Sequence, residues 1–413
     1  MKKVRIFLYI ALAAVAVAGF LFITEGKEEK VKARHWMGAW MTAMQEPFKD
    51  GESHEGFKDQ TVRMVVKPHV DGDQVRIRLS NAFSDEELNV DKVSIGITKK
   101  GAETKGEPVS VSFDGKKDVR IPAGERTSSD PIPIKISEDE ALTVSLYFKR
   151  ESGPATWHPR SMQTTYSADG DATGKAGKDV YKSIEKGWYW LDGVDVRTDK
   201  KVKGSIVVLG SSIDNGNDSK VDSNHRWTDY LSERINDDAD GKWTVLNAGI
   251  SANQLLDSPE EKGEKAPDRL KRDVFEQTGV KGVIVHQGIN DIRHHPETDA
   301  VTIIDEMKAM IKEAHKNGVE IYGVTISPYN DSGKYTAEGD RTRRKVNAWI
   351  RNSGAFDGVI DFDKVLRNPD DPSRLQPKYN SGDGLHPNEA GYRQMAETVK
   401  LKMFEHGRDR QSK

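Results

Sequence analysis

Apolar and polar residues alternate through the first half of the chain, and the rhythm changes near residue 200. Residues 61–67, 74–79, 93–97, 109–113, 117–121, 132–136 and 142–148 all follow a period of two. That period places every second side chain on a buried face, so each run predicts a β-strand. Asp71-Gly72, Asp114-Gly115 and Ala123-Gly124 fall between the runs as turn signals. Short strands at this spacing, with helical patterning nearly absent, predict an antiparallel sandwich or jelly roll over residues 35–199.

From residue 200 short apolar runs alternate with amphipathic stretches. Strands are expected at 205–209, 243–247, 282–286, 319–326 and 358–362, and helices at about 222–236, 265–277, 299–317, 338–352 and 388–404. The helix after the first of these strands presents Trp227, Tyr230, Leu231 and Ile235 on one face. Strand–helix alternation implies right-handed crossovers and a parallel sheet with helices on both faces. This second domain is expected over 200–405, with a polar tail at 406–413.

The N-terminus breaks both patterns. Lys2, Lys3 and Arg5 precede an uncharged apolar run of 18 residues, 6–23, which is close to the length that spans a bilayer. Ala16-Val17-Ala18 offers a cleavage signal, yet apolar residues continue past it to Ile23. Residues 1–24 therefore read as an uncleaved signal-anchor in preference to a cleaved signal peptide. The basic residues keep the N-terminus inside and the rest of the chain outside the cytoplasm. Residues 25–34 are charged and aperiodic, a linker.

Composition narrows the function classes. The net charge of −3, with no long basic stripe, gives no reason to expect nucleic acid. The absence of cysteine excludes disulfides, thiolate metal sites and a cysteine nucleophile. His294-His295 beside Asp291 and Glu297 lacks a diagnostic ligand spacing, and residues 210–216 lack the signatures of a phosphate or dinucleotide loop. No cofactor or metal is expected. Trp36, Trp40, Trp157, His158, Trp188 and Trp190 could form a sugar-stacking or site-lining surface, but core and interface packing is the preferred reading for the tryptophans.

Chemistry concentrates in four loops that follow strands. Ser212 comes directly after the strand at 205–209. Gly249 lies in Leu246-Asn-Ala-Gly-Ile250, Asn290 in His286-Gln-Gly-Ile-Asn-Asp291, and Asp383 and His386 in Asp383-Gly-Leu-His-Pro-Asn388. Loops at the carboxyl ends of parallel strands converge on one rim. A hydroxyl becomes a nucleophile when a base within reach takes its proton. His386 can serve if a carboxylate holds its other nitrogen, and Asp383, three residues earlier on the same turn, can be that carboxylate. Ser212 N–H, Gly249 N–H and the Asn290 amide would then face a developing oxyanion.

These residues resemble the blocks of the SGNH (GDSL-type) hydrolases: Ser212, Gly249, Asn290 within Gly288-Ile-Asn-Asp291, and Asp383-x-x-His386. The resemblance covers about 200–405 and implies a flavodoxin-like parallel sheet and a serine esterase. The upstream region, with His35-Trp-Met-Gly-Ala-Trp40 and Ala155-Thr-Trp-His-Pro159, is similar to the N-terminal domain of a secreted bacterial branch that includes xylanase-cluster esterases. One position departs from the family. Gly210-Ser211-Ser212-Ile213 has Ser211 where an Asp usually helps hold the nucleophile loop. The expected reaction is hydrolysis of short-acyl esters on carbohydrate, with membrane attachment through the N-terminal segment. The alternatives are a lysophospholipase or arylesterase, or a catalytically weak surface protein that binds carbohydrate.

Overall fold

The computed structural model describes residues 34–199, 201–238 and 242–405. The expected signal-anchor, nearly all of the linker and the C-terminal tail lie outside these residues. Among the described residues no helix is long and apolar enough to cross a membrane.

The first region is antiparallel throughout. One sheet orders Arg34–Met41, Leu191–Asp199, Val75–Ser80 and Arg126–Ser128, and a larger one is centred on Gln60–Val66, Leu142–Phe148 and Lys92–Lys100. A single apolar core containing Val62, Met64, Ile77, Leu79, Ile95, Val144, Leu146 and Val194 involves residues of both sheets. The stretch 132–136, expected as a strand, contributes only isolated bridges, Ile132 to Val75 and Ile136 to Gly72. Pro131 and Pro133 explain this, because proline has no N–H to give to a ladder. Conversely, Arg34–Met41 and Leu191–Asp199 are strands that alternation did not reveal. Met37, Gly38 and Ala39 are all buried, so the polar half of the pattern is missing.

The second region carries five parallel strands in the order Lys242–Asn247, Val202–Gly210, Val280–His286, Glu320–Val324, Gly358–Ile360. In Val202–Gly210, Val207 and Leu209 join one core with Ile303, Met307 and Met310 of helix Ala300–Lys316 and with Val346 and Ile350 of helix Ala337–Asn352. Ile206 and Val208 face the other way, toward Trp227, Leu231 and Ile235 of helix Trp227–Asp237 and Tyr392 and Met395 of helix Glu389–Thr398. Both faces of the sheet are covered. The helix expected at 265–277 is not formed; a single wide turn, Lys271–Phe275, stands in that stretch. Arg269 and Asp273 form a buried ion pair in that stretch.

The two regions are bonded to each other along the edge of the sheet. Gly38 N–H donates to Thr278 O at 2.9 Å, and Gly38 O accepts from Ser205 Oγ at 3.2 Å and Thr244 Oγ at 2.5 Å. The switch point of the parallel order lies between Lys242–Asn247 and Val280–His286, at the carboxyl end of Val202–Gly210. Open α/β sheets bind their ligands there.

Candidate active site

Val202–Gly210 ends in a sharp turn, and the short helix Ser212–Asn215 follows it immediately. Beneath the turn lies the carboxylate of Asp214, which is fully buried. It accepts from Ser211 N–H at 2.9 Å, Trp227 Nε1–H at 3.0 Å and His286 Nδ1 at 3.0 Å. It also occupies the space above Gly210, where an added Cβ would come within 1.9 Å of Asp214 Oδ2. The loop-holding carboxylate absent at 211 is thus supplied three residues later, from inside the turn. Ser211 itself is 1% exposed.

The other expected residues converge on this turn. Ser212 Oγ is 2.8 Å from His386 Nε2, and His386 Nδ1 is 2.5 Å from Asp383 Oδ2. Asp383 Oδ1 accepts the backbone N–H groups of Leu385 and His386 at 2.9 and 2.8 Å. Burial works against its charge, but the bonds to His386 and to these amides outweigh it and hold Asp383 well below the ordinary carboxylate range. Gly384 makes the tight turn possible: it has a φ of +73°, and a Cβ there would strike the backbone of Asp331 at 2.3 Å.

Asn290 is buried and oriented from both ends of its amide. Its Nδ2 donates one hydrogen to Asn253 O at 3.0 Å, and its Oδ1 accepts from Arg293 Nη1 at 3.3 Å. The second hydrogen of Nδ2 remains for a ligand. Ser212 N–H, at the first position of its helix, has no acceptor within that helix. Gly249 differs from the expectation. Its N–H donates to Asn247 Oδ1 at 2.9 Å, so the amide is already engaged. The glycine serves close packing here, since a Cβ would approach Asn215 N at 2.4 Å.

Several residues that shape the site carried no signal in the sequence. Asp218 places a second carboxylate oxygen 3.5 Å from the same Nδ1 of His386, and Ser381 Oγ donates to both Asp218 and Asp383 at 3.2 Å. Arg269, fully buried, donates to Gly210 O at 3.0 Å, Ala248 O at 2.7 Å and Asn253 Oδ1 at 2.8 Å. Asp291, beside Asn290, accepts Leu255 N–H and Leu256 N–H at 3.0 and 2.8 Å and shapes the same wall. No short motif records such contacts, because the partners lie tens of residues apart. The tryptophans do not form an exposed platform: Trp157, Trp188 and Trp190 are at most 5% exposed, Trp40 packs edge-on against Trp188 at 5.0 Å, and Arg76 covers Trp36 at 4.1 Å.

Residues 208–394 match the GDSL-like lipase/acylhydrolase family. Among solved structures, a G-D-S-L family lipolytic protein from Desulfitobacterium hafniense is 21% identical, with 47% of this chain and 97% of that one covered at a TM-score of 0.37. An aryl esterase of M. smegmatis is 17% identical, covering 49% and 97% at a TM-score of 0.39. A carbohydrate acetylesterase family member from Sinorhizobium meliloti is 14% identical, covering 49% and 98% at a TM-score of 0.39. None of the curated proteins matches the chain. Residues 208–394 of the second region are thus similar to the GDSL-like lipase/acylhydrolase family.

Two outcomes follow from the buried groups. Ser211→Asp, which restores the residue usual in the family, would bury a second carboxylate beside Asp214. It is expected to destabilise the chain by about 2 kcal/mol or more in urea unfolding and to lower turnover, whereas Ser211→Asp combined with Asp214→Ser recovers part of both. His158, buried at the seam between the regions, has its pKa lowered from 6.5 to about 4, chiefly by burial. Between these values the unfolded chain binds a proton that the folded one does not, so stability falls as pH drops through that window. The loss is expected to be about 3 kcal/mol and smaller in His158→Gln, compared by urea unfolding at pH 7 and pH 4.5.

Proposed function

We propose that this acylhydrolase domain cleaves esters by acyl transfer to Ser212, with His386 as base and Asp383 as the acid that orients it. The observation that carries the reading is the pair of contacts at 2.8 and 2.5 Å linking Ser212 to His386 and His386 to Asp383. His386 Nε2 takes the hydroxyl proton as Ser212 Oγ attacks the ester carbonyl. The oxyanion that forms receives Ser212 N–H and the second hydrogen of Asn290 Nδ2. Gly249 N–H joins them by turning from Asn247 Oδ1. Each such donor contributes about 10²–10³ in rate. His386 then gives its proton to the departing alkoxide, and water repeats the sequence on the acyl-enzyme. Asp383, held ionised, fixes the ring and offsets the charge of the imidazolium. The strand order supports reading the sheet as flavodoxin-like.

The substrate reading is short-acyl esters on carbohydrate. Ser212 lies among polar groups: Asn217, Asp218, Ser251, Ser381 and Arg293 surround the turn and the base. Among the described residues the exposed large aliphatic side chains are Val109, Val180, Val221, Val301 and Val359, on separate segments. A polar surround favours an alcohol rich in hydroxyls over a lysophospholipid chain, which needs a long apolar wall. We place the protein outside the cytoplasm, held by residues 6–23.

Ser212→Ala and His386→Ala are expected to lower kcat/KM for p-nitrophenyl acetate by at least about 10³; full activity in Ser212→Ala would end the esterase reading. Asp383→Asn is expected to lose less than the ~10⁴ seen for a triad with a single acid, because Asp218 faces the same nitrogen. Adding Asp218→Asn should then deepen the loss about tenfold further. Acid released from acetylated oligosaccharides should exceed that from lysophosphatidylcholine, and the opposite ranking would assign the runner-up substrate. A mature chain beginning after Ala18 would replace the anchor with secretion.

A further inference from the structure

The β region reaches the nucleophile turn directly. His158, on the short strand Trp157–Pro159, is fully buried, with Nδ1 2.7 Å from Ala43 O. Its Nε2 lies 2.7 Å from Oδ1 of Asn215, the last residue of helix Ser212–Asn215. The Nδ2 of that carboxamide shares its two hydrogens among Arg160 O at 3.0 Å, Asn217 Oδ1 at 3.0 Å and Ser251 Oγ at 3.2 Å. Asn215 is therefore held by both regions at once. It is three residues from Ser212, and its backbone N packs where any side chain on Gly249 would stand. A helical turn cannot shift at Asn215 without shifting Ser212.

A second tie lies close by. The Asp222 carboxylate accepts Gln163 Nε2–H at 2.8 Å, Thr164 N–H at 2.6 Å and Thr164 Oγ–H at 2.7 Å, while Asp222 N–H donates to Met162 O at 3.1 Å. Arg226 donates to Ser161 O. Arg160, Met162, Asp222 and Asn224, all non-glycine, sit at positive φ along this seam. Such conformations persist where the surroundings over-determine them. The seam closes to a cavity of about 30 Å³ lined by Trp188, Asn215 and Arg226, room for about one water.

We propose that the β region is a working part of the catalytic unit, with His158 a positioning residue that acts through Asn215 to fix the nucleophile turn. This rests on the reading of Ser212 as the nucleophile. It gives the region a role other than carrying substrate on its tryptophans. His158 is surrounded by Ala43 O, the Asn215 amide, the Trp188 ring at 5.4 Å and the charges of Arg226 and Arg269, and burial keeps it neutral at neutral pH. A neutral ring has one N–H, which it donates to either Ala43 O or Asn215 Oδ1 while packing against the other, and it brings no charge beside the nucleophile.

The test uses the full chain and its His158→Ala, Asn215→Ala and doubly substituted forms. Kinetics on p-nitrophenyl acetate are normalised to active sites counted with a fluorophosphonate probe, so misfolded molecules drop out. His158→Ala is expected to lower kcat per labelled site about 10- to 100-fold with KM changed less than about threefold. The double form is expected to lose no more than the worse single one, because both act at one point. His158→Gln, which keeps an amide within reach of Asn215, is expected to recover part of the rate. An unchanged kcat per site in His158→Ala, whatever its thermal stability, overturns the proposal, as does a double form whose losses multiply. If His158→Ala does not fold, His158→Leu and its combination with Asn215→Ala are read by the same two criteria. A parent chain that neither labels nor hydrolyses overturns the nucleophile reading first, an outcome none of the His158 forms can mimic.

Discussion

A single carboxylate with no access to water, Asp214, holds the nucleophile turn in shape. Three donors meet on it: the backbone of Ser211, the indole of Trp227 and the imidazole of His286. They come from the turn itself, from the helix that covers one face of the sheet, and from the end of the neighbouring strand. A carboxylate suits this position because both of its oxygens accept hydrogen bonds. Removing it would leave buried donors without partners, each at about 1–3 kcal/mol. The turn's geometry is therefore tied to the packing of the whole sheet. Gly210 is confined to glycine for the same reason, since the carboxylate occupies the space its side chain would need.

Arg269 does for the loops of Gly249 and Asn290 what Asp214 does for the turn at Ser212. From one guanidinium it reaches Gly210 O, Ala248 O and Asn253 Oδ1, the ends of two strands and the loop whose carbonyl orients Asn290. Its charge is costly to bury, and burial lowers its pKa, with Asp273 opposing that effect at 3.1 Å. Buried ion pairs are poor sources of stability but good at fixing one arrangement over others. Here the arrangement fixed is the relative position of Ser212, the Gly249 loop and Asn290. Such rigidity matters for an oxyanion hole, whose donors must be in place before charge develops.

The grouping of Ser212, Asp383 and His386 was legible in the sequence because each sits at a strand end or on one tight turn, where local spacing fixes geometry. Asp383 and His386 share a turn, so three residues of sequence determine their contact. The parallel sheet was legible too, since strand and helix periods alternate without long interruptions. What escaped notice depends on contacts between distant segments. Asp214 looked like an ordinary polar residue after the motif, and its importance comes from Trp227 and His286, 13 and 72 residues away. Arg34–Met41 hid its strand character because it is covered on both faces, by the sandwich and by the parallel sheet. The stretch 265–277 was read as a helix, and it holds Arg269 and Asp273 as a buried ion pair instead. Gly249 was read as bare backbone for a ligand, and its amide is bonded to Asn247 instead.

The departure at Ser211 takes on a different meaning in this setting. An Asp at 211 and an Asp at 214 would compete for the same buried space beneath one turn, and two unpaired carboxylates there would repel at close range in a poorly screened interior. Only one can be accommodated. With the carboxylate at 214, it approaches from within the turn and bonds outward to Trp227 and His286, which leaves the outer side of Ser212–Asn215 open to contact from elsewhere. The β region fills that side through His158 and the loop at 160–164. The unusual residue beside the nucleophile and the presence of a second folded region against it are, on this view, two parts of one structural solution. Support for the nucleophile turn has moved from its own second residue to the groups packed beneath and beside it.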